Sequence, residues 1–126
     1  MGLLTYIVVL IMLTNSSLTI YHKALDKTTR LEKWIRYNYD KVWWFGGKGA
    51  SINKGYDNAN NVDIRIPYDQ NTIDISNIKI GDILVKGKLT SDITTQQNLS
   101  SYDIYNVTSI VDNKFGKNPH VHLGGK

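Results

Sequence analysis

Two histidines one residue apart, His120 and His122, have the only spacing in the chain that suggests a metal. On a strand this spacing sets both imidazoles on one face, where they can share an ion. A third ligand would have to come from elsewhere, His22 or an aspartate, and no partner motif offers one. The pair is therefore read as the polar face of a terminal strand. Aspartates are plentiful, among them Asp57, Asp63, Asp69, Asp74, Asp82, Asp92, Asp103 and Asp112. Most fall where turns want Asp or on outward strand faces, and no pair has company that would tune one as acid and the other as base. No G-x-S-x-G elbow is present. GGKGAS (46–51) has the glycines and lysine of a phosphate loop, but Gly49 follows Lys48 where that motif needs Ser or Thr. With no cysteine, disulfides, thiolate metal sites and a cysteine nucleophile are excluded. No catalytic, cofactor-binding or metal-ligating residue is expected, and no cofactor.

The elements that would position any of these groups read as β. At 126 residues the chain is one domain, large enough for a real core. Its densest stretch, residues 33–46 (KWIRYNYDKVWWFG), holds Trp34, Trp43 and Trp44 with Tyr37, Tyr39 and Phe45 between them. With period two, one face runs Ile35, Tyr37, Tyr39, Lys41, Trp43, Phe45 and is nearly all apolar. That predicts a half-buried strand, or a tight hairpin bent near Asn38, with Trp34, Tyr37, Trp43, Trp44 and Phe45 as core or subunit contacts.

Around it, residues 17–22 read as a strand joined by a polar turn (23–29) to the aromatic stretch, an antiparallel hairpin. Residues 62–67 (VDIRIP) are a clear strand, with Val62, Ile64 and Ile66 inward and Pro67 ending it. Residues 73–80 alternate again, 83–86 and 103–111 follow as strands, and 119–123 is the last. Residues 92–102 are the single short helical candidate, with a Thr at 94 or 95 to cap it and Gln97 near the capping-box position. Residues 46–61, rich in Gly and Asn, form a long loop; its Gly46, Gly47, Lys48, Gly49, Lys54 and Tyr56 are candidate partner- or lumen-facing residues. Frequent turns between short strands predict a mainly β domain over 14–126, a small antiparallel barrel or sandwich.

Residues 1–13 stand apart. Leu3 to Leu13 is apolar but for Thr5. As a helix it would span about 16 Å, short of the roughly 30 Å of a bilayer core. The segment lacks the basic start and A-x-A site of an export signal. It is read as an extension from a misassigned start, natural synthesis beginning at Met12, or else as an anchor. The net charge of +4 comes from scattered basic residues and favours at most non-specific contact with polyanions.

The succession LTIYHKALDKTTR (18–30), VWWFGGKGAS (42–51), VDIRIP (62–67), IKIGDILVKGKLTSDITT (78–95) and YDIYNVTSIVDNKFGKNPHVHLGG (102–125) resembles a family of short proteins. These are encoded in the head–tail gene module of long-tailed phages of Gram-positive bacteria. The resemblance rests on Thr19–Ile20–Tyr21, Val42–Trp43 with Gly46, the Ile64–Pro67 run, Gly81–Asp82 with Val85–Lys86–Gly87, Asp92–Ile93–Thr94, and Asp112–Asn113 with Gly116 and His120. It implies a head-completion, stopper-like neck protein of the virion: a non-catalytic β-barrel in a homo-oligomeric ring. Its partners would be the portal and adaptor on one side and the tail terminator on the other, with non-specific DNA contact in the channel and no membrane. The alternative reading is a membrane-tethered or secreted small β-domain with a binding role.

Overall fold

The computed structural model describes residues 13–47 and 61–126. Six strands, β1 (Ser16–Leu25), β2 (Glu32–Gly46), β3 (Val62–Pro67), β4 (Ile83–Lys86), β5 (Ile104–Asn113) and β6 (His120–Gly125), close in the order β1-β2-β3-β6-β5-β4. Every pairing is antiparallel. The mainly β domain is thus a closed barrel, in which every stave has a neighbour on both sides over at least part of its length.

That closure explains one departure from the sequence pattern. Residues 73–80 alternate like a strand but pair with nothing. The Asp74 carboxylate accepts from the Ser76 N–H, and a 3-10 turn covers Ile75–Asn77. β3 already has β2 on one side and β6 on the other, so no slot remains beside it. β3 and β4 stand on opposite sides of the barrel, so the connection must cross its end. Three of its isoleucines face the interior there: Ile78 is in the core, and Ile73 and Ile75 pack against it, while Ile80 is exposed.

β2 is one 15-residue strand with no hairpin bend near Asn38, and its faces are not those of a regular period-two pattern. Tyr39 pairs with Leu18 but Val42 with Ser16, so β2 carries one extra residue, a bulge at 40–41. Before the bulge Tyr37 and Tyr39 pack on the core; after it Val42 and Trp44 do, while Trp43 is half-buried and Phe45 exposed. The single face expected from Ile35 to Phe45 is therefore broken. The reason is Lys41: regular alternation would drive its ammonium into the core, and one inserted residue turns it to solvent. The Asn71 carboxamide takes up the backbone this leaves unpaired. It accepts from the Lys41 N–H at 3.3 Å and donates to the Lys41 carbonyl at 2.7 Å. β5 does the same at Thr108, between the Val107–Gly125 and Ser109–Gly124 pairs, so Tyr105 and Val107 point inward, then Ile110, while Val111 turns out.

The barrel interior holds Leu18, Ile20, Tyr39, Val42, Trp44, Val62, Ile64, Ile66, Leu84, Tyr105, Val107, Val121 and Leu123, with Trp44 edge-on to Tyr105 at 5.7 Å. A second cluster lies outside the staves, where Tyr21, Ile83 and Val85 meet Ile93 and Leu99. The segment after β4 covers this side. Four side chains pin it. Thr19 Oγ1 donates to the Gly87 carbonyl (2.8 Å) and accepts from the Leu89 N–H (2.9 Å), and Tyr21 Oη donates to the Ser91 carbonyl (2.6 Å). Arg36 and Asn38 both donate to the Leu89 carbonyl. The helix expected over 92–102 is reduced to a 3-10 turn, Gln96–Leu99. Asn98, in the place expected of Gln97, reaches back to the N–H groups of Thr94 and Thr95. Only Ile93 and Leu99 of this stretch are buried, too few for an apolar helix stripe.

Candidate functional site

The two bulges build a surface that regular strands would not have. Across four adjacent staves, Trp43 lies opposite Arg65, Arg65 opposite His122, and His122 opposite Val111. All four point away from the barrel, since Trp44, Ile64, Ile66, Val121 and Leu123 beside them are buried inward. The next row is Phe45, Asp63, Gly124 and Ser109. Trp43 and Phe45 stack with centroids 5.6 Å apart and planes within 5°. The Arg65 guanidinium lies 5.0 Å from the Trp43 ring centre, a cation–π contact. Phe45 is 47% exposed and Val111 49%. His122 Nε2 approaches Asp63 Oδ1 at 3.3 Å. At the rim, Tyr68 Oη donates to Asp112 Oδ1 at 2.6 Å; burial and that carboxylate push the phenol up to about 12.

The five aromatics marked in the sequence separate into three environments. Trp44 belongs to the barrel core, and the partly buried Tyr37 packs against it, as the core half of that expectation has them. Trp34 packs on the outer cluster, with the Lys23 ammonium 5.8 Å from its ring. Trp43, half-buried under Arg65, and the exposed Phe45 are the two of the five that face outward on the β2–β3 side. Of the loop residues, Gly46 ends β2 and Gly47 follows, both with positive φ (91° and 114°). The Gly47 N–H donates to the Asn61 carbonyl at 3.0 Å, which draws the two roots of the β2–β3 connection together. Any Cβ on Gly46 would run into that carbonyl. Lys48, Gly49, Lys54 and Tyr56 lie outside the described residues, as do residues 1–12.

His120 and His122 share a face of β6, as their spacing requires. His120 Nδ1 lies 2.7 Å from the Asn118 carbonyl oxygen. His22, named as a third ligand, stands on β1, across the barrel from β6. There its Nδ1 meets Asp82 Oδ2 at 2.7 Å, both residues buried. Asp82 also accepts from the N–H groups of Lys79 (2.8 Å) and Lys23 (3.2 Å), so it ties the turn before β4 to β1. Among the described residues no three His, Asp or Glu gather as metal ligands.

Sequence reasoning missed Arg65 as the neighbour of Trp43, and His122 and Val111 as the continuation of that row. The signal available was Lys41, a charge in the middle of an otherwise apolar face. Asp82 had no signal, because Gly81-Asp82 reads as an ordinary turn.

A family model matches residues 13–126, that of a family of unknown function, DUF6751. The chain belongs to this family. The match spans every strand of the DUF6751 barrel and both bulges. No curated protein and no solved structure matches the chain. Among the described residues of this DUF6751 domain, no helix is long and apolar enough to cross a membrane.

Proposed function

We propose that this DUF6751 domain is a non-catalytic structural protein of the phage neck, a stopper-like head-completion or head–tail connector. In the virion it joins portal and adaptor to the tail and helps to retain DNA. The observation that supports the reading best is the continuity along β2. Its outward-facing Trp43–Phe45 stack leads directly into Gly46, where the connection to β3 begins, so an aromatic surface patch and the root of that connection share one stave. A closed barrel suits a ring subunit, because it bears load with fewer strand edges exposed to random pairing than an open sheet has. The motifs that carry the phage resemblance also fall at structural positions: Gly46 and Gly87 at positive φ, and Asp82 in the buried tie to β1.

Light scattering of the purified full chain, alone and with the portal–adaptor complex of its phage, tests the proposal. Several copies bound per portal ring are expected. A chain that ignores the complex at all salt concentrations overturns it and brings forward the small binding domain held by its N-terminal segment.

A further inference from the structure

The β1–β2 hairpin is longer than the barrel it helps to close. β4 lies beside β1 only from Leu18 to Tyr21, and β3 lies beside β2 only from Trp43 to Gly46. Beyond the Tyr21–Arg36 pair the hairpin runs on as two strands, through His22–Ile35, Lys23–Trp34 and Ala24–Lys33 to Leu25–Glu32. Those pairs extend it by about 13 Å, at roughly 3.3 Å per residue. Asp82 braces the root, meeting His22 and the Lys23 N–H. Asp26 fastens the tip: its N–H donates to the Leu31 carbonyl (2.9 Å) and its carbonyl accepts from the Arg30 N–H (2.7 Å).

This tip exposes two leucines, Leu25 at 62% and Leu31 at 68%. Strand alternation sets Leu25 on the outer face with Tyr21 and Lys23, and Leu31 on the other face with Lys33 and Ile35. Lys27, Arg30 and Lys33 stand exposed around them, and no ion pair among the described residues involves any of the three. The acids nearby are engaged. Glu32 meets Lys23 at 2.9 Å, and the Asp26 carboxylate accepts from the Thr28 and Thr29 N–H groups.

We propose that the hairpin tip docks on an anionic lipid surface, with Leu25 and Leu31 in the headgroup–acyl boundary and Lys27, Arg30 and Lys33 among the lipid phosphates. Leucines on two faces of one tip leave water together only in surroundings that close round it, whereas a flat protein surface or a nucleic-acid groove covers one face. Leucine also offers a nucleic acid nothing to stack on or to hydrogen-bond. Interfacial insertion reaches roughly 5–10 Å, a depth the two-stranded extension supplies before the barrel meets the headgroups. The charge is complementary, because basic side chains at an anionic bilayer add to the attraction one by one. The contact is with a surface and is not a span. The tip lies at the far end of β2 from Trp43 and Phe45, so the contact neither needs nor excludes the neck reading.

Co-sedimentation of the full chain with vesicles tests the proposal, one set of phosphatidylcholine alone and one of phosphatidylcholine and phosphatidylglycerol in equal parts. Binding to the anionic set is expected, weaker on the neutral set and falling as salt rises. Leu25→Ser with Leu31→Ser should cut it about tenfold or more, and Lys27→Glu with Arg30→Glu should do the same. All four positions are exposed, and unchanged thermal unfolding of each variant shows the barrel intact. Residues 1–13 are identical in every variant, so binding that survives the double leucine change comes from elsewhere and overturns the proposal. An unaltered chain that ignores anionic vesicles, or binds both sets alike at every salt concentration, overturns it too. If vesicles are not bound and a labelled duplex oligonucleotide is, with loss in the Lys27→Glu, Arg30→Glu variant alone, the tip belongs to nucleic acid.

Discussion

The β1–β4 side of the barrel and the β3–β6 side are built from the same kind of strand and end up in different surroundings. On β1, Leu18 and Ile20 point into the barrel while Thr19 and Tyr21 point out, and the outward pair is as fully buried as the inward one because the segment after β4 lies over it. On β3, Val62, Ile64 and Ile66 are buried while Asp63 and Arg65 stand in solvent. A sheet face stays apolar when something covers it and turns polar when nothing does. The difference teaches that the covered side is where stability is invested and the bare side is where contact residues can be placed at little cost.

Substitutions on the two sides should separate accordingly. Tyr21→Ala should lose about 3–5 kcal/mol in urea unfolding, from the lost ring and the cavity it leaves. A loss below about 1 kcal/mol would mean the covering segment is not part of the core. Alkaline unfolding should come next. Burial raises the Tyr39 phenol from 10.0 to about 12, and Tyr68 is raised to a similar value. Their stabilisation is whole below pH 10.0 and is lost as the pH climbs towards about 12. Tyr68→Phe should narrow that loss but not abolish it, since Tyr39 remains. Thr19→Val keeps the volume but leaves the Leu89 N–H and the Gly87 carbonyl without their partner, at about 1–3 kcal/mol. Asn71→Ala unfastens the β2 bulge, where water can replace the exposed amide, so about 1 kcal/mol is expected. Last, Arg65→Ala and Phe45→Ser on the bare side should stay within about 0.5 kcal/mol in the monomer. A large destabilisation there would erase the contrast between the sides.

Local pattern determined much of this protein. The alternation of VDIRIP specified β3 to the residue, and the apolar run ILVK specified β4, because both patterns say which faces must leave water. The aromatic density of residues 33–46 marked the central stave. A mainly β domain with frequent turns was equally plain. What the pattern could not carry was anything decided by a neighbour. Residues 73–80 have a strand's alternation, but β3 before them is already flanked by β2 and β6, so they cross the barrel's end with a 3-10 turn. Trp43 and Phe45 share the parity of Tyr39, yet a one-residue bulge sends them outward beside Arg65. Asp82 sits in an ordinary-looking turn and becomes buried because His22, 60 residues earlier, arrives against it. A chain's own periodicity encodes which side chains must be buried; register, bulges and closure settle which partner buries them, and those exist only once distant strands have paired.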